Sequence, residues 1–437
     1  MSLNIGVAQT DITPEHPVWL AGYGDRDKRS EGVYQPLRAG AIYLGADDEV
    51  ILIPADIFGF DLAYTAQAKQ RIAAATGMLP HQIILTASHT HCGPLFYPMN
   101  MPGEPELEYA EWLCVRLVEL AVAAHARPVA GKISFSRTPS ELGVNRRLLR
   151  DGVVAMAPNP EGPIDRDLDT LWFEDDGGEL LATLTVYGCH ATSLSGYLVG
   201  GDYPGFLCRA LEEETRAPAF FSTGCAGDVR PWYKLGSEDF PRPEVDGVEA
   251  AGRGVATEVL RRRAFATAVD AEDLTIADCF HLLPYEKLPS AEDLRRLARK
   301  EKGLLRDWAV YVDGLLEHGP LPGACPHEIQ VLQFNSGFRL LFLGGEVLSE
   351  IGMHIKKALA PATTVTVAYS NGLIGYIPSK NAHPYGGYEV DGSHFYFRLP
   401  APFTDDVEDR IVARSLELVK SLAGDSSTAG GSFNFRS

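Results

Sequence analysis

The sequence predicts a mixed α/β fold in which large mixed or antiparallel sheets are covered by helices. Three observations carry that expectation. Short runs rich in Val, Ile, Leu and Phe pair across turn residues at three places. Helical periodicity fills the stretches between them. No Pro/Ser-rich break divides the chain, so one interlocked domain over 1–423 is expected, with a Gly/Ser-rich disordered tail over 424–437.

The strand pairs come first. AGAIYLG turns at Ala46-Asp47-Asp48 into EVILIPAD. LDTLWFE turns at Asp175-Asp176-Gly177-Gly178 into ELLATLTVYGCH, and HEIQVLQF turns at Asn335-Ser336-Gly337 into FRLLFLGGE. Gly and Asn tolerate positive φ, which tight turns require. The second strand of each pair ends in a group with chemical potential: Asp56, His190 and Glu346. A further apolar strand, QIILTAS, runs into His89-Thr90-His91. Helices are expected over 60–76 and 106–126, and near 204–216, 247–264, 290–317, 347–359 and 404–423. The charged segment 290–317 reads as an amphipathic surface helix or a lid. Residues 369–390 form a Gly/Tyr/Asn-rich loop that includes Tyr376, Tyr385 and Tyr388.

Composition narrows the function. Of 437 residues 45% are hydrophobic and 22% are charged, which excludes disorder and fibrous repeats. The net charge is −19, so the chain repels nucleic acid and anionic membrane surfaces. No apolar run reaches the roughly 18 to 20 residues of a spanning helix. Seven cysteines without a paired spacing read as free thiols. With no leader visible at the start, a cytoplasmic location is expected. GxxxxGK[ST], a GxGxxG that follows a strand, and the GxSxG elbow are all missing, which sets aside phosphate-loop, dinucleotide and serine-hydrolase chemistry.

His89-Thr90-His91 is the sharpest local signal. Residues i and i+2 of a strand share a face, so both imidazoles are expected on one side. Such a pair suits Zn²⁺, or one ligand plus one acid/base. His190 and Glu346, also at strand ends, add to a set that a catalytic zinc can use. Asp56 reads as an ordinary strand-end carboxylate.

Taken in order, several segments resemble the neutral/alkaline non-lysosomal ceramidase family. GVAQTDITP and LAGYGDRDKRSEGVYQPLRAGAIYL are similar to its opening. SHTHCGP, GVNRR and GCHATS are similar to its two histidine motifs and its Asn-Arg motif. AGDVRP, LGGEVLSEIG, GYIPSK and GGYEV complete a colinear series from about residue 4 to 420. The resemblance implies the family's mixed α/β catalytic domain. It also implies zinc ligands at His89, His190, Glu346 and Tyr376, with His91, Arg146 and Tyr388 as catalytic groups. The implied activity is zinc-dependent hydrolysis of an amide in a lipid-like or small-molecule N-acyl substrate by a zinc-activated water, with ceramide and sphingolipid metabolism as the family's setting.

The chain departs from the pattern at two positions. Cys92 follows the first histidine pair where the family usually has Ser, and Arg230 occupies the serine position of GDVSPN. The leader and immunoglobulin-like domain of secreted members are not expected. Arg230 and Trp232 therefore keep open a small polar amide, lactam or ester, with an anionic or sugar-like group. A metal-bearing binding protein without catalysis is the remaining alternative. A TIM-barrel amidohydrolase is disfavoured, because hairpins do not build a parallel barrel.

Overall fold

The computed structural model describes residues 3–271, 273–335 and 337–424. A nine-stranded sheet runs in the order Ala219–Thr223, Leu180–Tyr187, Asp167–Asp175, Val129–Pro139, Leu3–Asp11, Arg38–Gly45, Glu49–Ala55, Ile83–Ala87, with Thr267–Val269 added beside Val129–Pro139. A second sheet has the order Leu274–Pro284, Ala324–Phe334, Phe338–Leu343, Thr363–Val367. Helices cover both sheets, as expected of this class.

All three hairpins form, and each continues in the same way. After the second strand a helix crosses over and a third strand returns parallel to it. Leu62–Thr76, Asp202–Thr215 and Ser349–Ala358 are the crossover helices. Ile83–Ala87, Ala219–Thr223 and Thr363–Val367 are the returning strands. Their C-terminal ends meet. Thr223 Oγ1 donates to Ala87 O at 3.0 Å, Ala368 N to Thr223 O at 3.0 Å, and Asn371 N to Leu85 O at 2.9 Å. Carboxyl ends of parallel strands are where open sheets leave room for chemistry. Here three such ends face one another.

Turn chemistry holds where it is described. Gly178 has φ 88° and Asn335 φ 42°; Ser336 lies outside the described residues, as does the expected tail from 425 on. The segment 290–317 is two helices, Ala291–Lys300 and Gly303–Leu315, broken at Glu301-Lys302, with Gly303 opening the second at a left-handed φ of 60°. An unexpected hairpin, Gly143–Arg150 with Val153–Asn159, turns on Asp151 and Gly152, both at positive φ. It carries Arg146. Among the described residues no helix is long and apolar enough to cross a membrane.

One histidine pair ties the second sheet to the site. His281 and His327 face each other in register, with His281 Nε2 and His327 Nδ1 2.8 Å apart. His327 Nε2 lies 3.0 Å from Gly344 O, which can only accept. His327 therefore carries its proton on Nε2, and His281 donates to its Nδ1. This anchors Gly344, two residues before Glu346. Burial lowers His327 to about 3 and His281 to about 4. The folded state thus binds fewer protons than the unfolded chain below pH 6.5. The stability from this pair is complete above 6.5 and is lost as pH falls toward 4 and then 3. The slope is at most about 1.4 kcal/mol per pH unit for each histidine, less for the half-exposed His281. His327→Gln should flatten the urea-midpoint profile between pH 4.5 and 6.5; an unchanged profile would contradict the assignment.

Candidate active site

The histidine pair reaches the site by a different route from the one its spacing suggests. The strand ends at Ala87, and His89 has φ 57°, a left-handed conformation. The two rings therefore do not share a pleated face. The chain curls there, bringing the rings edge to face at 4.8 Å with their Nε2 atoms 3.1 Å apart. A non-glycine residue held in this region at a strand end is a strain that the surroundings must enforce.

His89 Nδ1 lies 2.6 Å from Phe58 O, and His190 Nδ1 lies 2.6 Å from Ala226 O. Carbonyls only accept, so both rings carry their proton on Nδ1. Each bare Nε2 then faces the same oxygen. Glu346 Oε2 is 3.2 Å from His89 Nε2 and 3.0 Å from His190 Nε2. These are contacts between acceptors, and only a cation or a shared proton relieves them. Burial alone would raise the Glu346 carboxyl, but positive charge at the His89 and His190 positions holds it well below the usual carboxylate range. Burial lowers His190 to about 4, so its lone pair is free at neutral pH. Imidazole nitrogens oriented by carbonyls, beside a carboxylate, are the donor set of a divalent metal of the zinc type.

Tyr376 joins the same group by pairing rather than by a loop. Residues 369–390 contain the short strand Tyr376–Ile377, parallel to Glu346–Val347, with Tyr376 directly opposite Glu346. Its hydroxyl is 3.3 Å from His190 Nε2 and receives a 3.1 Å hydrogen bond from Arg146 Nη2. Burial raises the phenol well above its ordinary range, so it is protonated unless a cation draws the proton off. Tyr388 packs edge-on against Tyr376 at 5.3 Å, under the Arg146 guanidinium.

His91 stands beside this group. Its ligand-capable nitrogens lie within 4.8 Å of those of His89 and His190, so three imidazoles can also hold a metal. Burial holds it well below 6.5, assisted by the neighbouring rings and by Arg26 and Arg230. Its Nδ1 has no hydrogen-bond partner. Gly22, at φ 97°, presses its backbone there: a Cβ on Gly22 would lie 2.4 Å from His91 Cγ and Nδ1. Gly22→Ala should therefore push the ring away, lowering kcat by about 10²-fold while bound metal stays. Wild-type turnover in that variant would show that the ring position is immaterial.

Several contributors had escaped sequence reasoning. Glu389 binds Arg146 Nε at 2.7 Å and Arg147 Nη1 at 2.5 Å. The Tyr369 hydroxyl donates to Glu346 Oε2 at 3.4 Å. Asp228, beside Arg146 through its backbone carbonyl, accepts from Asn145 Nδ2 and Ser349 N. Asp228 lies in AGDVRP, and Tyr369 and Glu389 lie in the Gly/Tyr/Asn-rich stretch 369–390, but sequence alone singles out none of the three. Asp56 lies outside the group, its carboxylate accepting from Arg38 N. The Trp232 indole turns to Ser237 Oγ. Cys92 is buried and its thiol is pushed up to about 12, an inert group.

The sequence profile of the family described as neutral/alkaline non-lysosomal ceramidase, N-terminal, matches residues 3–233, more than half of the chain. The chain belongs to this ceramidase family. The matched segment holds His89, His91, Arg146 and His190, while Glu346, Tyr376 and Tyr388 join them through the fold. Neutral ceramidase of Mycobacterium tuberculosis is 27% identical over 272 residues, 56% of this chain and 41% of that protein. Neutral ceramidase B of Dictyostelium discoideum is 24% identical over 259 residues, 53% of this chain and 36% of that protein. These matches thus span about two fifths or less of the relatives' length. The crystal structure of neutral ceramidase from Pseudomonas aeruginosa superposes with a TM-score of 0.76 at 18% identity, covering all of this chain and 76% of that one. The ceramidase fold is therefore present throughout.

Proposed function

We propose that the protein is a zinc-dependent hydrolase that cleaves the amide bond of an N-acyl compound, the chemistry that the relatives' names attach to ceramide. The observation that carries this reading is the meeting of two imidazole Nε2 atoms, each on a ring held by a carbonyl at Nδ1, on one carboxylate oxygen. His89, His190 and Glu346 would hold the metal, with Tyr376 as the fourth ligand. A bound zinc ion supplies Lewis acidity and lowers the pKa of a water molecule in the site towards ~7.

The chain's own residues do the rest. His91, neutral and buried, takes a proton from that water at Nε2 and gives it to the leaving amine nitrogen. Tyr388 donates its hydroxyl proton toward the tetrahedral oxyanion. Arg146, held by Glu389, fixes the Tyr376 hydroxyl and orients the polar part of the substrate. Buried walls exclude bulk water and strengthen each of these interactions. The buried free thiols support a reducing, cytoplasmic setting.

Three experiments test the reading. Purified zinc-loaded protein should release amine from a long-chain N-acyl sphingoid base or from a shorter N-acyl amide; no hydrolysis across both classes would refute it. His91→Ala should keep zinc and lose 10²–10⁴-fold in kcat. Loss of zinc in that variant would make His91 a ligand in the three-imidazole set instead. Tyr376→Phe separates ligand from packing anchor: a chelator-competition titration should show weaker zinc binding, and equal affinity would remove Tyr376 from the metal.

A further inference from the structure

The strand Val229–Pro231 pairs antiparallel with Gly143–Arg150, placing Arg230 opposite Val144. Two residues on from Val144 on the same face is Arg146, whose guanidinium reaches Tyr376. Arg230 therefore projects on the site side of this ribbon, beside His91, whose proton affinity it lowers. Its situation differs from that of its cationic neighbours. Arg146 is paired with Glu389, and the buried Arg26 is satisfied by the carbonyls of Ala21, His91 and Gly196. Arg230 has no carboxylate in ion-pair range among the described residues. Its Nε is buried without a partner, and its best polar contact is Nη2 to Thr192 O at 3.4 Å. Around it stand aromatic faces. Arg230 lies over Phe240 at 4.8 Å, and the exposed Arg242, likewise without a carboxylate, lies over Tyr23 at 4.8 Å. Tyr23 in turn packs on His91, with ring centroids 4.8 Å apart.

A mostly buried guanidinium with an unused donor is costly unless a charge comes to meet it. In a chain of net charge −19 the far field repels anions, so a local pair of unpaired arginines at a site mouth acts as a selective acceptor for one anionic group. We propose that Arg230, assisted by Arg242, binds an anionic group on the substrate, so that the preferred substrates are acidic N-acyl compounds rather than neutral ones. This rests on the hydrolase reading above and adds a substrate class to it. A carboxylate matches the planar fork of Arg230, and a sulfonate or phosphate offers the same chemistry. The anionic group would sit beside Arg230 and Tyr23, with the scissile amide at His89 and His190.

N-dodecanoylglycine and N-dodecanoylethanolamine share the acyl chain and differ in a carboxylate against a neutral hydroxyl. With the zinc-loaded protein, kcat/KM should favour the glycine conjugate by at least about tenfold. Arg230→Gln should bring the ratio to about one, chiefly through KM for the acidic substrate. Arg242→Gln, at the exposed rim, should reduce it by about threefold and guards against misfolding of the first variant. N-dodecanoyltaurine shows whether a sulfonate serves as well. Calorimetric binding of both amides to the His91→Ala protein should give the same preference and the same dependence on Arg230. Hydrolysis of both amides with a ratio near one, unchanged in Arg230→Gln, would overturn this inference and leave the hydrolase reading standing. Selective binding of the acidic amide without hydrolysis of either would do the reverse.

Discussion

Replacing His89 or His190 with alanine should leave a protein without metal and without turnover. Each ring gives its Nε2 to the shared centre and its Nδ1 proton to a buried carbonyl: Phe58 O for His89, Ala226 O for His190. Truncation removes a donor at a fully buried position, where the imidazole near enough to compete for its place is that of His91. Loss of the His89 ring also strands Phe58 O, at a cost of about 1–3 kcal/mol of stability, whereas Ala226 O keeps its bond from Val229 N when His190 is truncated. The two effects separate experimentally. Elemental analysis should give about one metal ion per chain in the wild type and none in either variant, while urea unfolding shows a smaller loss. Stoichiometric metal retained in both variants would refute the ligand assignment.

Glu389→Gln should be the most destabilising conservative change in the site. Glu389 is 2% exposed and bridges two guanidinium groups, Arg146 and Arg147, themselves largely buried. The amide keeps the size and removes the charge, leaving two buried cations with only neutral acceptors, the new amide oxygen, the Tyr376 hydroxyl and the Gly386 carbonyl among them. Breaking a buried pair in this way costs about 3–5 kcal/mol. Arg146 would also lose its fixed position, and with it the hydrogen bond to Tyr376, so metal affinity should fall alongside stability. Equilibrium urea unfolding measures the first effect and chelator competition the second. A stability change below about 1 kcal/mol would show that water reaches this network and screens it.

The local elements were legible because their signals are local. Asp-Gly-Gly and Asn-Ser-Gly turns flanked by apolar runs specify hairpins, and the stretches Leu62–Thr76 and Leu107–Ala126 carry their own periodicity. His190 and Glu346 were marked by their position just after a strand. What was hidden is the convergence. Strands Ile83–Ala87, Ala219–Thr223 and Thr363–Val367 lie far apart in sequence, and only their parallel returns bring His89, His190 and Glu346 together. Pairing of this kind leaves no periodic trace. The kink at His89 was misread for a related reason. A strand pleat and a left-handed turn both bring residues i and i+2 together, and His-x-His does not distinguish them. Glu389 escapes notice because nothing local marks it as the partner of Arg146 and Arg147, which lie far away in sequence. The hairpin carrying Arg146 was announced by Asp151-Gly152, a turn signal left unused. Resemblance to the ceramidase family named Arg146 and gave roles to Tyr376 and Tyr388, which the Gly/Tyr/Asn-rich loop marks only as two of its three notable tyrosines.

The central claim is that a metal held by His89, His190 and Glu346 is required for amide hydrolysis. The most direct measurement follows amine release from an N-acyl amide by purified protein dialysed against a chelator and then titrated with zinc. Activity should vanish on dialysis and return in proportion to added zinc, reaching its plateau at one equivalent per chain, with no recovery in His190→Ala. Full hydrolysis by protein that elemental analysis shows to be free of metal would contradict it.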